Sequence, residues 1–172
     1  MYFNNIILKS IPSEEFLLLA EIQGIFNEIS SMMKKSQSKD VKTLQLIPLN
    51  CHLLTRFLVR YVSGLRVVDG FYYMGGPKVE QLGESEVTIC AHSWLLSDSS
   101  KTIIDVYPVD VVCIGGAIAL PTEIHGDYHG TPYHGAMKYK EGVIDNDLFD
   151  PVETILNMLK FEAVLKKMAM YS

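Results

Sequence analysis

Three side chains, widely separated along the chain, have the types that nucleophilic catalysis requires. Cys51 opens a segment with helical periodicity. His92 lies within the apolar run 87–96, and Asp105 lies within a second apolar run, 102–106. A thiol, an imidazole and a carboxylate can act as nucleophile, base and the acid that orients the base. The set therefore predicts a cysteine nucleophile served by a histidine.

The two apolar runs predict a β-hairpin, because they flank the polar cluster 97–101. A charged group in a buried strand needs a partner, since an unpaired charge is costly away from water. Facing strands bring side chains into direct contact. A hairpin that closes through this cluster places His92 and Asp105 roughly opposite each other.

Cys51 stands at the predicted N-terminus of a helix that runs from about 51 to 63. Asn50 is a favourable cap for this helix, and Gly64 supplies its end. The partial positive charge and the unpaired N–H groups at a helix N-terminus favour a thiolate and can hold a developing oxyanion. The position therefore predicts a lowered pKa for the Cys51 thiol.

Trp94 follows His92 by two residues, so both side chains point to the same face of a strand. The indole then screens the imidazole from water and restricts its ring. Each member of the set also has an ordinary alternative: a small buried thiol, a half-buried histidine and a strand-end carboxylate. The order Cys, His, Asp on helix, strand and next strand favours the catalytic interpretation.

The segments 50–54, 91–95 and 103–106 read NCHLL, AHSWL and IIDV. Together they resemble the transglutaminase-like branch of the papain-like cysteine fold. That branch places Cys at the start of a core helix, His on one strand and Asp on the neighbouring strand. The resemblance covers about residues 45–110 and leaves the N-terminal helix and the chain after 110 unexplained.

The resemblance implies acyl chemistry at an amide or thioester carbonyl of a peptide, protein or small amide substrate. Cys51 attacks, His92 relays the proton, and Asp105 holds the imidazole tautomer and stabilises its cation. Water as acceptor gives a peptidase, amidase or deamidase, and an amine gives a transferase. We expect a thiol hydrolase without a cofactor. The alternatives are a transferase with the same triad and a non-catalytic module of the same fold.

Gln45 lies six residues before Cys51, where papain-type enzymes keep an oxyanion-hole glutamine, and Asn50 is an equal candidate. Trp94 is a candidate for positioning the base. The tryptophan that follows the papain cysteine is absent, because His52 takes its place. The glycine-rich surroundings of the cysteine in arylamine acetyltransferases, which share the Cys-His-Asp order, are also absent.

A different class of site is suggested by the histidine-rich segment 125–134. His125, His129 and His134, together with Asp127, have side chains that bind zinc or another borderline metal. Their spacing matches no short metal-binding motif, and such a loop also suits the wall of a substrate cleft. We therefore expect no metal and take the three histidines as candidates for a cleft loop.

Composition excludes several classes of protein. The 172 residues are 48% hydrophobic and 20% charged, which predicts one globular domain over 1–172. A net charge of −5 argues against a nucleic-acid partner. No apolar run reaches the roughly 20 residues of a membrane span, and the N-terminus lacks a secretory pattern. We expect a cytoplasmic protein, although a secreted effector without a signal has the same features.

Hydrophobic periodicity predicts an α+β fold with a helix at each end and a central antiparallel sheet. The expected strands and helices, apart from the hairpin and the helix after Asn50, are a strand at 5–8, a helix at 13–35, strands at 65–73 and 109–120, and a helix at 151–170. The segments expected to be irregular are 36–42, 78–86 and 123–142. The resemblance adds a papain-like core to this layout.

Overall fold

The computed structural model describes residues 7–8, 15–36, 38–74, 88–99, 102–106, 118–120, 137–145 and 147–170. These ranges form four helices and six strands. The helices are α1 (Glu15–Lys35), α2 (Ser38–Gln45), α3 (Cys51–Leu58) and α4 (Pro151–Ala169). The strands are β1 (Ile7–Leu8), β2 (Leu65–Met74), β3 (Thr88–Ser97), β4 (Ile103–Asp105), β5 (Ile118–Leu120) and β6 (Met137–Glu141).

The strands form one sheet in the order β1-β5-β4-β3-β2-β6. β1 and β5 are parallel, and every other neighbouring pair is antiparallel. The longest ladder joins β2 to β3, from the Leu65–Ser97 pair to the Met74–Thr88 pair. This ladder fixes the register at the centre of the sheet, where the predicted histidine lies.

β3 and β4 form the predicted hairpin. Leu95 pairs with Ile104, and Leu96 pairs with Ile103. The Ser97 N–H donates to the carbonyl of Thr102 at 3.0 Å. Residues 92–97 of β3 and all of β4 are buried, so the polar side chains of this part of the hairpin require partners.

A layer of helices around α4 encloses the core. α4 packs against α1, α2 and α3, and α3 also packs against β3 and β2. The Phe161 ring of α4 meets the Phe57 ring of α3 edge to face, with 5.1 Å between their centroids. Leu95 and Ile104 of the hairpin belong to the same apolar cluster. This shared core holds α3 against the sheet.

A short turn ties α3 to the hairpin. Gly64 has a φ of +80°, which glycine adopts without steric cost. Its carbonyl accepts a hydrogen bond from the N–H of Asp98 at 2.9 Å. β2 starts at Leu65, directly after Gly64, so only six residues separate β2 from the end of α3. The helix and the hairpin tip are therefore held to each other.

The predicted α+β class is confirmed, with helices near both ends of the described chain and a mainly antiparallel sheet. The prediction that residues 36–42 are irregular is wrong, because α2 begins at Ser38. Burial of Leu44 and an ion pair of 2.7 Å between Asp40 and Lys167 attach α2 to α4. No helix of the described residues is long and apolar enough to cross a membrane.

The prediction of a long loop over 123–142 is wrong at the C-terminal end of that range, since Met137–Glu141 forms β6 and pairs with β2. The helix expected at 51–63 ends earlier, at Leu58, and continues as turns. The segment 78–86, the part of 109–120 before β5 and the rest of the expected long loop lie outside the described residues.

Replacing Phe161 with alanine tests the packing of α4 on α3. Phe161 is 1% exposed, and we expect the free energy of unfolding to fall by about 3–5 kcal/mol, because the truncation leaves a cavity. Urea denaturation followed by circular dichroism measures the loss. Leu156→Ala, on the same helix but at a 53% exposed position, should change stability by less than about 0.5 kcal/mol. Equal losses in the two variants would contradict this packing.

Candidate active site

Cys51 is the first residue of α3 and is 7% exposed. The Asn50 side-chain oxygen accepts a hydrogen bond from the Leu53 N–H at 2.9 Å, so Asn50 is the N-cap that the sequence predicts. The Asn50 carbonyl accepts from the Leu54 N–H at 3.0 Å. The N–H groups of Cys51 and His52 belong to the same first turn, where acceptors within the helix are lacking.

His92 and Asp105 form a buried pair between β3 and β4. His92 Nε2 lies 2.8 Å from Asp105 Oδ2, and the two side chains are 1% and 0% exposed. The register of the hairpin, continued by one residue, places Asp105 across from Trp94. His92 therefore reaches the carboxylate along the diagonal of the ladder, which long side chains can span.

The imidazoles of both His52 and His92 act on the pKa of the Cys51 thiol. Burial by itself would raise the pKa of the thiol, but the hydrogen bonds and charges of the two imidazoles lower this pKa to about 6. Burial by itself would lower the pKa of His92, but Asp105 and the sulfur raise it to about 10. At neutral pH the pair is therefore thiolate and imidazolium. Of the predicted set, His92 and Asp105 are in contact, and Cys51 and His92 each affect the pKa of the other.

A second polar chain leads away from His52. Its Nδ1 lies 2.6 Å from Ser93 Oγ, and the Ser93 hydroxyl donates a short hydrogen bond to Asp69 Oδ1. The other carboxylate oxygen, Asp69 Oδ2, accepts from Arg56 Nη2 at 2.6 Å. Arg56 also donates to the His52 carbonyl at 3.2 Å and to Ser93 Oγ at 3.3 Å. This chain connects the first turn of α3 to β3 and β2.

An aromatic ring covers His52 on the side toward α4. The Phe149 ring stacks on the imidazole with 4.3 Å between centroids, and the Arg56 guanidinium lies 4.6 Å from the Phe149 centroid. A cavity of about 450 Å³ opens beside these groups, between the N-terminal ends of α3 and α4. His52 and Asn50 line it, together with the carboxylate-bearing residues Asp147, Asp150 and Glu153.

The remaining predicted positions fall in different settings. Gln45 is exposed at the end of α2, and no hydrogen bond among the described residues joins it to Cys51. The side-chain oxygen of Asn50 is used by the helix cap. Trp94 is fully buried, and its ring stacks with the His92 ring at 6.4 Å between centroids. Trp94 therefore shields the base, as its spacing predicts, and Tyr72 adds a second ring at 5.5 Å.

The cleft-loop candidates His125, His129 and His134 lie outside the described residues. Within the described part of the chain, no group of three or more metal-binding side chains could hold an ion. Cys51 and Cys90 are free thiols, and Cys90 is partly exposed. The neighbouring imidazoles lower the pKa of the Cys51 thiol.

Sequence reasoning did not identify His52, Ser93 and Asp69 as parts of the site. Two of them could have been found from their place in the sequence, because His52 follows the nucleophile and Ser93 follows the base. Asp69 lies directly opposite Ser93 in the β2–β3 ladder. Recognising that pair requires the strand register, which the residue types alone leave open.

No protein family model, curated protein or solved structure matches this chain. The resemblance to the transglutaminase-like branch therefore stays a prediction from the sequence.

The thiolate of Cys51 predicts an unusual pH dependence of alkylation. In a Cys90→Ser, Cys113→Ser background, the iodoacetamide rate should rise through about pH 6 and then level off, whereas an ordinary thiol titrates near pH 8.5, about the model-peptide value. Alkylation rates measured by mass spectrometry between about pH 5 and 9 give the midpoint of the rate increase, because this range includes the pKa of Cys51 and that of an ordinary thiol. A midpoint near that of an ordinary thiol would contradict the thiolate–imidazolium pair.

Asp105→Asn tests the electrostatic link from the carboxylate to the sulfur in the same background. Losing the negative charge lowers the pKa of His92, which weakens the imidazolium and raises the pKa of Cys51. At neutral pH we therefore expect alkylation to slow about tenfold, because less thiolate is present. Asp98→Asn, at an exposed position of the hairpin turn, is the matched control and should leave the rate unchanged. Circular dichroism verifies that both variants are folded.

Proposed function

We propose that this protein is a thiol-dependent acyl hydrolase with a papain-like, transglutaminase-like core. The observation that carries the proposal is the buried pair of His92 and Asp105, with 2.8 Å between Nε2 and Oδ2, beside a Cys51 thiol whose pKa the neighbouring imidazoles lower. A thiolate at a helix N-terminus is an activated nucleophile. The placement of the three residues on a helix, a strand and the next strand supports the relation to the transglutaminase-like branch.

The first half of the reaction forms a thioester. The Cys51 thiolate attacks the carbonyl carbon of an amide or thioester, and the N–H groups of Cys51 and His52 in the first turn of α3 stabilise the oxyanion. The His92 imidazolium gives its proton to the leaving group as the bond between that group and the carbonyl carbon breaks. Asp105 keeps Nε2 of His92 engaged, so the other ring nitrogen, Nδ1, serves the sulfur and the leaving group.

The second half of the reaction releases the acyl group. Water attacks the thioester carbon, the carbon–sulfur bond breaks, and a carboxylic acid leaves with Cys51 restored as thiolate. The substrate is a peptide, a protein or a small amide. The Cys-His-Asp set acts on the carbonyl group alone, and the surrounding surface selects the rest of the substrate.

Acyl transfer to an amine is a second candidate, favoured by one observation. The cavity beside His52 is lined by Asp147, Asp150 and Glu153, and carboxylates attract an alkylammonium group. An amine held there competes with water for the thioester. The same acyl-enzyme then yields an amide in place of an acid.

An activated ester, p-nitrophenyl acetate, tests for the acyl-enzyme. We expect a burst of about one p-nitrophenolate per chain followed by slower turnover, the signature of a covalent intermediate. Intact-mass and peptide analysis should locate one acetyl group on Cys51. Cys51→Ala should lose both the burst and the acetyl group, and Cys90→Ala should keep both. Product analysis with added methylamine separates hydrolysis from transfer.

The absence of both a burst and an acetylated Cys51 in the wild-type protein would contradict the proposal and favour a non-catalytic module. A burst that persists in Cys51→Ala would do the same, because the acyl group would then reside on a different side chain.

A further inference from the structure

Helix α4 is apolar on two opposite faces. Its inner face supplies Phe161 and Leu165 to the core, where both are buried. Its outer face carries a row of apolar side chains that are each between 45% and 65% exposed. We call this row the α4 stripe, and its members are Val152, Ile155, Leu156 and Leu159. A surface helix normally has a polar outer face, and a helix that is apolar all round is normally covered all round.

The α4 stripe is continuous. Its members follow the spacing i, i+3, i+4 and i+7, so they share one side of the helix over two turns. Single exposed apolar residues are common on protein surfaces, whereas a continuous patch usually marks an interaction site. The α4 stripe therefore indicates a surface that binds another molecule.

Two exposed charges of opposite sign, Glu153 and Lys160, lie on one flank of the stripe. They share this flank because seven residues are about two helical turns. When two identical helices pack antiparallel about a two-fold axis, each flank faces the same flank of the other helix. Glu153 then faces the partner's Lys160, and the symmetry repeats this pair.

One position of the axis satisfies both the charges and the stripe. The midpoint between Glu153 and Lys160 falls between Leu156 and Asn157. The midpoint of the stripe falls between Ile155 and Leu156. A two-fold axis close to Leu156 therefore lays the stripe on its own copy and pairs the charges at the same time. The surface of α4 is complementary to itself.

The charges also distinguish a second copy from a lipid surface. A helix that lies on a membrane usually carries lysine and arginine beside its apolar face, because anionic lipids attract them. Here Glu153 lies beside the stripe, and Asp150 caps the helix at the same end. The last turn of α4 is basic and contains Lys166. An antiparallel copy brings this basic end toward the acidic end.

We propose that the α4 stripe is the contact surface for a second copy of this chain, with the two α4 helices packed antiparallel about a two-fold axis near Leu156. Four half-exposed side chains supply only part of the roughly 800 Å² that each subunit buries in a standard interface. The dimer is therefore weak and reversible. Because Glu153 also lines the cavity beside His52, the second copy borders the rim of that cavity.

Sedimentation velocity on the full chain tests for the dimer between about 1 µM and 1 mM, the Kd range of weak complexes. We expect the wild-type protein to shift from monomer to dimer within this range. Leu156→Glu should weaken dimerisation at least about 100-fold, because it places two like charges in the apolar contact. Leu17→Glu, at a 73% exposed leucine of α1, is the matched control and should dimerise like the wild type. Circular dichroism verifies that both variants are folded.

Charge reversal tests the antiparallel arrangement. Glu153→Lys and Lys160→Glu should each weaken dimerisation about tenfold, since two attractive pairs per dimer become repulsive. The double variant restores opposite signs and should recover most of the wild-type affinity. Single variants that dimerise like the wild type, or a double variant that loses as much as the two single variants combined, would overturn the pairing of these residues.

A cysteine cross-link tests the position of the axis. In a background with serine at all three native cysteines, Leu156→Cys should form a disulfide-linked dimer on mild oxidation, because only cysteines close to the axis come within bonding distance. Met170→Cys should not, since its two copies would lie about 40 Å apart along the helices. A wild-type chain that stays monomeric throughout, a dimer that persists in Leu156→Glu, or equal cross-linking at both positions would overturn the proposal. These measurements do not use the Cys51 thiol, so their outcome is independent of the proposed acyl chemistry.

Discussion

The buried pair of His92 and Asp105 is the constraint on which the site depends. Both side chains are almost completely removed from water, and removing one partner of such a pair typically costs about 3–5 kcal/mol. The hairpin must therefore keep its register, since a one-residue slip would turn every side chain of β4 to the other face. The Cys51 thiolate adds a second negative group to the same imidazolium, and so helix position and strand register are coupled.

Two successive residues of α3 and two successive residues of β3 build the whole arrangement. Cys51 and His52 begin the helix, and His92 and Ser93 lie next to each other in the strand. Neighbouring strand residues point in opposite directions. On its own face of the sheet, His92 contacts a carboxylate of β4, and on the other face Ser93 contacts Asp69 of β2. One helix start and one central strand are enough to supply two imidazoles, each with its own acidic support.

The part of the site that depends on local pattern could be predicted from the sequence. Asn50 before an apolar helical segment predicts the helix start, and the turn between two apolar runs predicts the hairpin. The chain of Ser93 and Asp69 could not be predicted, because it depends on how β2 aligns with β3. α2 was missed because its sequence is polar and is held by contacts with α4, more than 100 residues away. β6 was missed because Lys and Glu at a sheet edge leave little apolar periodicity.

The hydrogen bond between Asp98 N–H and the Gly64 carbonyl has a consequence for how the molecule moves. It joins the turn that follows the helix of Cys51 to the turn that follows the strand of His92. This bond restrains the turn after α3 relative to the hairpin that carries His92. At the junction with α4, Phe149 stacks on His52 and lines the cavity, so the position of this ring sets how much of the His52 imidazole faces the cavity.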